Sequence, residues 1–91
     1  MRTERQVTIA NEKGLHVRPA TKFAETASRF RCRIEVVKDG TTANGKSSID
    51  LLTLAAEPGS ALLIRADGED ADAAVEALVG LVQDRFGFRD D

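Results

Sequence analysis

The chain of 91 residues, 42% hydrophobic and 31% charged, supplies one small two-layer domain, which excludes large nucleotide-driven machines. Its apolar runs are far shorter than the roughly 20 residues of a membrane span, and its N-terminus lacks the pattern of a secretion signal, so we expect a cytoplasmic protein without membrane insertion. The net charge of −2 combines a basic segment 1–46 with an acidic segment 47–91, which favours an anionic ligand or an acidic partner, while four Phe without Tyr or Trp argue against nucleic acid.

The first half of the chain is predicted to form a strand, a helix and a hairpin. Alternation over Arg5–Ile9 predicts a half-buried strand. Over Val17–Phe30 apolar residues recur every three or four positions, which predicts an amphipathic helix with Pro19 in its first turn. Two further strands, over Cys32–Val36 and Thr41–Ala43, flank a glycine-containing turn and are expected to pair as a hairpin.

The second half is predicted to form a short helix, a strand and a longer helix. The short helix spans Ser47–Leu54, with serine as its N-cap and the carboxylate of Asp50 three residues later. A strand follows over Ala61–Ala66, and the apolar stripe of Ala71–Val82 predicts the last helix, after which residues 86–91 are expected to fray. Strands and helices with one apolar face each imply an α+β fold, an antiparallel sheet covered on one side.

The candidate site is His16, the only histidine, which lies between a glycine-containing loop and the first predicted helix. Amides at a helix N-terminus and the charge of Arg18 disfavour protonation, so we expect an uncharged, nucleophilic ring. The same groups would hold a dianionic phosphoryl group once the ring carried it. The alternative interpretation is that His16 merely caps the helix and Arg18 is a solvated charge. One His and one Cys supply no metal cluster, and we expect no metal.

The heptapeptide Gly14–Ala20 resembles the active-site motif of HPr, the histidine-containing phosphocarrier family of the phosphoenolpyruvate-dependent sugar phosphotransferase system (PTS). The similarity continues through residues 44–47, 54–56, 58–60 and 68–70 with the alanine-rich helix that follows, and it covers about residues 4–85. It implies one HPr-like domain with an open-faced β-sandwich of topology βαββαβα, in which three helices cover one face of a four-stranded antiparallel sheet.

The resemblance implies specific roles for the residues of the motif. His16 would accept a phosphoryl group on Nδ1 from enzyme I and pass it to a IIA component of the PTS. Val17 and Arg18 would form the phosphate-binding helix N-terminus, with the Arg18 guanidinium contacting the phosphoryl oxygens. Such a protein is a stoichiometric carrier and not an enzyme, binds no cofactor, and is expected to be a monomer because it presents one face to several partners in turn.

The resemblance also implies a regulatory and docking region around the short helix. Ser47 stands where family members carry a serine that is phosphorylated by HPr kinase/phosphorylase. Lys46, Ile49 and Leu52 would belong to the surface that docks partners. Ser48 and Asp50 depart from the usual pattern, an aliphatic and a small residue, and Asp50 adds a negative charge close to that surface.

Alternative functions remain open at this point. The chain could be a PTS-related regulatory module that acts mainly by docking to control proteins, or an unrelated small ligand-binding domain. Gly40–Ser47 satisfies a nucleotide-binding pattern, yet the predicted hairpin and the short chain make this match accidental. Cys32 is expected to be a small buried hydrophobic residue and not a reactive thiol. Both a sugar-transport and a nitrogen-type regulatory pathway are compatible with these residues.

Overall fold

A computed structural model describes residues 1–89 and consists of four strands and three α-helices. The strands are β1 (Arg2–Thr8), β2 (Arg33–Lys38), β3 (Thr41–Asn44) and β4 (Ala61–Asp67), and the helices are α1 (Val17–Ala27), α2 (Ser48–Leu52) and α3 (Ala71–Gln83). A single 3₁₀ turn, Arg85–Gly87, follows α3. The predicted α+β order βαββαβα is confirmed.

The strands form one antiparallel sheet in the order β1-β4-β2-β3, so β4 is a central strand. In the register, Val7 of β1 lies opposite Leu62, and Val36 of β2 lies opposite Ile64. Because side chains alternate along a strand, this register places the apolar residues of neighbouring strands on the same face. Helix α3 packs against β1 and β4, while α1 packs against α2 and α3.

The other face of the sheet is polar. Glu4, Arg65 and Glu35 lie side by side on β1, β4 and β2 in the register. The Arg65 Nε atom is 3.4 Å from a Glu35 carboxylate oxygen and 3.9 Å from a Glu4 carboxylate oxygen. Charged side chains of opposite sign therefore stabilise cross-strand neighbours on the face that the helices leave open.

The buried apolar residues form one core cluster to which all the strands and helices contribute. Its largest fully buried apolar side chains are Phe23, Phe86, Ile9, Ile34, Leu51, Leu62, Ile64 and Leu78. Phe86 is 0% exposed, so the expectation of a frayed tail from residue 86 is wrong at this position. Asp90 and Asp91, which also belong to that expected tail, lie outside the described residues.

Several boundaries differ from those predicted: α2 spans Ser48–Leu52 and not Ser47–Leu54, and one end each of β1 and α1 differs by three residues. Strand β1 begins at Arg2, before the alternating segment, because its backbone pairs with β4 as far as Asp67. Helix α1 ends at Ala27 and not at Phe30, because the amides of Ser28, Arg29 and Phe30 close a turn on the last helical carbonyls. Phe30 still packs against the core, from this turn. The periodicity therefore identified a core residue but extended the helix by three positions.

Asp70 joins the start of α3 to the start of β2. Its carboxylate accepts hydrogen bonds from the amides of Arg31 and Cys32, each at 2.9 Å. The hydrogen bond from Arg31 is the main cause that holds the Asp70 pKa below its ordinary value. Burial is the main cause that raises the pKa of the Cys32 thiol to about 11, and a hydrogen bond to Asp70 contributes to it. The residue is only 3% exposed. Cys32 is buried as predicted.

Candidate functional site

The loop that precedes α1 is held in place by backbone contacts. The Asn11 side chain is fully buried and its Nδ2 donates to the Gly14 carbonyl at 2.7 Å. Gly14 has a φ of +70°, and an added Cβ would lie 2.5 Å from the carbonyl oxygen of Ala56. The next amide, that of Leu15, donates to this same oxygen at 2.9 Å. The backbone on the N-terminal side of His16 is therefore fixed against the segment that follows α2.

His16 occupies the N-cap position of α1. Its backbone is extended (φ −89°, ψ −166°), and its carbonyl accepts the first helical hydrogen bond from Ala20 at 2.9 Å. The residue is half-buried, and its imidazole makes no hydrogen bond that caps the helix. The interpretation that this side chain serves as the helix cap is therefore wrong, and His16 is a half-buried residue at the amide end of the helix.

The first turn of α1 places apolar and cationic side chains beside His16. Val17 is 65% exposed and Arg18 is exposed, whereas Pro19 is buried. Proline has no backbone N–H, which costs no hydrogen bond here because the first amides of a helix have no partner within it. The amides at the start of a helix carry partial positive charge, to which Arg18 adds a full charge. His16, Val17 and Arg18 thus form one consecutive group at the N-terminus of α1, with positive charge from the helix amides and from Arg18.

The C-terminal segment contacts Arg18 of this group, a contact that no pattern in the sequence predicts. The guanidinium carbon of Arg18 lies over the ring of Phe88, 3.9 Å from its centroid. Phe88 is partly buried, and Phe86 anchors the same segment in the core. The sequence does contain a signal for an ordered tail. Two of its four phenylalanines, Phe86 and Phe88, lie within the last six residues, a composition that is unusual for a frayed end.

The N-terminus of α2 is built by Ser47 and Asp50. The Ser47 hydroxyl accepts the Asp50 amide at 3.1 Å, so Ser47 is the predicted N-cap. The Asp50 carboxylate accepts the amide of Asn44 at 2.6 Å, and the Ser47 amide donates to the Asn44 carbonyl at 3.1 Å. The cap is therefore one half of a capping box, with the carboxylate directed to the end of β3.

The predicted docking residues differ in exposure. Ile49 is 78% exposed, while Leu52 is half-buried and packs against the core. The Lys46 ammonium donates to the Phe30 carbonyl at 2.7 Å, which places it at the C-terminal end of α1, away from His16. The apolar surface on these two helices thus includes Val17 and Ile49, which together with Met1 are the exposed large hydrophobic residues within residues 1–89.

The nucleotide-binding pattern is not formed as a phosphate loop. Gly40 lies with Asp39 at the turn between β2 and β3, and both have positive φ values, as a tight hairpin requires. The Lys46 ammonium is bound to the Phe30 carbonyl. Within residues 1–89 no group of three or more His, Cys, Asp or Glu side chains could hold a metal ion. No α-helix within this range has the length and apolar character needed to cross a membrane.

Comparison with known proteins places these features in one family. A family model described as the PTS HPr component phosphorylation site matches residues 3–84. Phosphocarrier protein HPr of Neisseria meningitidis is 38% identical over 84 residues, which cover 92% of this chain and 94% of the relative. Phosphocarrier protein NPr of Shewanella violacea is 43% identical over 83 residues, 91% of each chain. The HPr-like protein Crh of Halalkalibacterium halodurans is 38% identical over 88% of this chain and 95% of its own.

Solved structures give the same result. The crystal structure of HPr-C-His from Thermoanaerobacter tengcongensis has a TM-score of 0.91 and 38% identity, and the match covers 96% of this chain and 98% of that one. The crystal structure of an HPr dimer from the same organism has a TM-score of 0.77 and 39% identity, over 90% of this chain and 94% of that one.

Proposed function

Because the chain belongs to the HPr family of PTS phosphocarrier proteins, which are carriers and not enzymes, we propose that His16 is its phosphoryl acceptor. Phospho-enzyme I is the proposed donor and a IIA component the proposed acceptor. The observation that carries this proposal is the position of His16 as the half-buried N-cap residue of α1, with the Arg18 cation two residues away.

The chemistry follows from this position. The Nδ1 lone pair of His16 attacks phosphorus, the new N–P bond forms, and the electron pair of the broken bond returns to the donor. The dianionic group then lies where the amides of α1 and the Arg18 guanidinium attract it. A carrier must also release the group, so these contacts must stabilise the transfer state more than the phosphohistidine. No cofactor takes part.

Docking to the two partners is proposed to use the exposed apolar residues on α1 and α2. Val17 is adjacent to His16, and Ile49 projects from α2, which packs against α1. Leu52 and Lys46 complete the proposed surface from its edges. The excess of Lys and Arg in residues 1–46 favours acidic partners. We propose that the carrier works in the cytoplasm as a monomer, and light scattering at micromolar concentration tests the monomer against the dimer seen for one relative.

Phosphorylation with mapping of the modified residue tests the role of His16. Incubation with matched enzyme I and phosphoenolpyruvate is expected to add one phosphate that is acid-labile and is lost in His16→Ala. Gln6→Ala, on the open face of the sheet, is the matched control and is expected to behave as the unchanged chain. No phosphate with a matched enzyme I, or phosphate on another residue, would contradict the proposal.

Ser47 is proposed as a second phosphorylation site, with a regulatory effect. Its hydroxyl caps α2 next to the Asp50 carboxylate, so a phosphate there would add about −1.5 to −2 charge beside an existing negative charge. Docking to an acidic partner would weaken. Treatment with HPr kinase/phosphorylase is expected to modify the unchanged chain and Ser48→Ala, but not Ser47→Ala. Modification of Ser47→Ala would refute this assignment.

A regulatory docking module is the second candidate function. It is favoured by the Asp50 carboxylate at the start of α2 and by the similarity to an HPr-like protein Crh. Complementation separates the two functions, because a carrier restores sugar uptake in a strain that lacks its own HPr, whereas a pure regulator does not. Restored uptake that is lost in His16→Ala would establish the carrier.

A further inference from the structure

The chain after α3 turns back onto the N-terminal end of α1. Arg85, Phe86 and Gly87 all have positive φ values, of 54°, 59° and 80°. The left-handed backbone is unfavourable for the first two residues, and burial of Phe86 in the core offsets its cost. The amide of Phe88 donates to the Arg85 carbonyl at 3.0 Å and closes the turn. The core therefore determines where Phe88 lies, and that place is against Arg18.

The contact between Arg18 and Phe88 suits an arginine that must bind an anion. A guanidinium over a phenyl ring is attracted by the negative face of the ring, and the contact engages no lone pair of an acceptor. The ring contact itself therefore uses none of the guanidinium N–H donors that recognise phosphoryl oxygens. A long side chain loses much rotamer freedom when it binds a ligand, and a ring that already restricts it reduces that loss.

We propose that Phe88 is a positioning residue, which holds the Arg18 guanidinium ready for the phosphoryl group on His16. The proposal rests on the proposed function of His16 and Arg18, and it adds a residue outside the segment 3–84 that matches the family model. A role in tail packing alone would need only apolar volume at position 88. A positioning role needs the aromatic ring itself, so substitutions that keep volume but remove the ring distinguish the two.

The test compares Phe88→Leu and Phe88→Trp with the unchanged chain. Phe88→Leu is expected to lower the rate of phosphorylation by phospho-enzyme I about twofold to fivefold, the factor for an exposed cation–π contact, and Phe88→Trp is expected to restore it. Phe30→Leu is the matched control, since Phe30 packs on the core just beyond the other end of α1. In an Arg18→Ala background, Phe88→Leu is expected to have no additional effect.

A nuclear magnetic resonance measurement reads the position of Arg18 without phosphate transfer. The ring current of Phe88 is expected to displace the Arg18 side-chain signals, and Phe88→Leu is expected to return them towards values for an exposed arginine, while Phe30→Leu leaves them unchanged. Equal rates for Phe88→Leu and the unchanged chain would overturn the positioning role alone. Failure of the unchanged chain to carry phosphate on His16 would overturn both proposals.

Discussion

Replacing Gly14 by alanine tests whether the loop before His16 is held by a backbone contact that only glycine permits. At a φ of +70° an alanine costs about 1 to 2 kcal/mol relative to an ordinary backbone conformation. In addition, its Cβ would lie 2.5 Å from the Ala56 oxygen, so one of the two segments must move. Movement would weaken the hydrogen bond from Leu15 to that oxygen, a net loss of about 1 kcal/mol.

The expected destabilisation of Gly14→Ala is therefore about 2 to 3 kcal/mol, a large part of the roughly 5 to 15 kcal/mol that stabilises a typical domain. Gly40→Ala is the matched control, because Gly40 has a φ of +81° but no atom within 4 Å of an added Cβ. The control is expected to lose only the cost of its backbone conformation, about 1 to 2 kcal/mol.

Urea unfolding followed by circular dichroism measures both free energies. Phosphorylation by enzyme I measures the displacement of His16, and we expect Gly14→Ala to react about 10- to 100-fold more slowly, because small shifts of a reacting group have large effects on rate. Gly40→Ala is expected to react normally. If the two variants lost the same free energy of unfolding, the contact with Ala56 would not constrain this loop and our reasoning would be refuted.

Three further predictions concern stability. Phe86→Ala is expected to lower the free energy of unfolding by about 3 to 5 kcal/mol, because a fully buried ring is removed, and a loss below about 1 kcal/mol in urea would contradict the packing of the tail. Since the pKa of Cys32 is raised from 9.0 to about 11, stability is expected to fall as the pH rises from 9 through 11, and Cys32→Ala should lack this decline. The Cys32 thiol should also react with a thiol reagent at pH 8 only after unfolding. The pKa of Asp70 is lowered from 3.8, so the stability it contributes is present above that pH and is lost as the pH falls through the lowered pKa. Asp70→Asn is expected to reduce this loss of stability at acid pH. An unchanged dependence of the unfolding free energy on pH would show that the hydrogen bonds from Arg31 and Cys32 do not depend on the charge of Asp70.

Local signals predicted the site and most of the fold. The start of α1 at Val17 follows from the apolar period and from Pro19, whose ring is compatible with a first helical turn. Ser47 is the N-cap of α2, as its residue type predicts, because capping involves atoms only three residues apart. The apolar stripe of α3 begins at Ala71 in the structure as in the prediction. Each of these features depends on neighbours in the sequence, which is why the sequence shows it.

Contacts between distant segments could not be predicted in this way. The sequence predicts the Asp50 carboxylate in the first turn of α2, but its partner, the Asn44 amide, could not be predicted, because β3 ends beside it only in the folded chain. Lys46 belongs to the proposed docking surface, and its hydrogen bond to the Phe30 carbonyl beyond the end of α1 could not be predicted from its neighbours in the sequence. In both cases a flexible or short polar side chain had several acceptors or donors within reach, and the packing of α1, α2 and β3 decided between them.

Local residue patterns were enough to predict the order of strands and helices, the placement of His16 and Arg18 at a helix start, and the likeness to a phosphocarrier family. The strand order β1-β4-β2-β3 and the seating of Phe88 over Arg18 were decided only in the tertiary structure. The physical reason is burial: the tail is held by Phe86, whose ring fills a place in a core made by segments far from it in the chain. Such a place exists only once the sheet and helices have packed together.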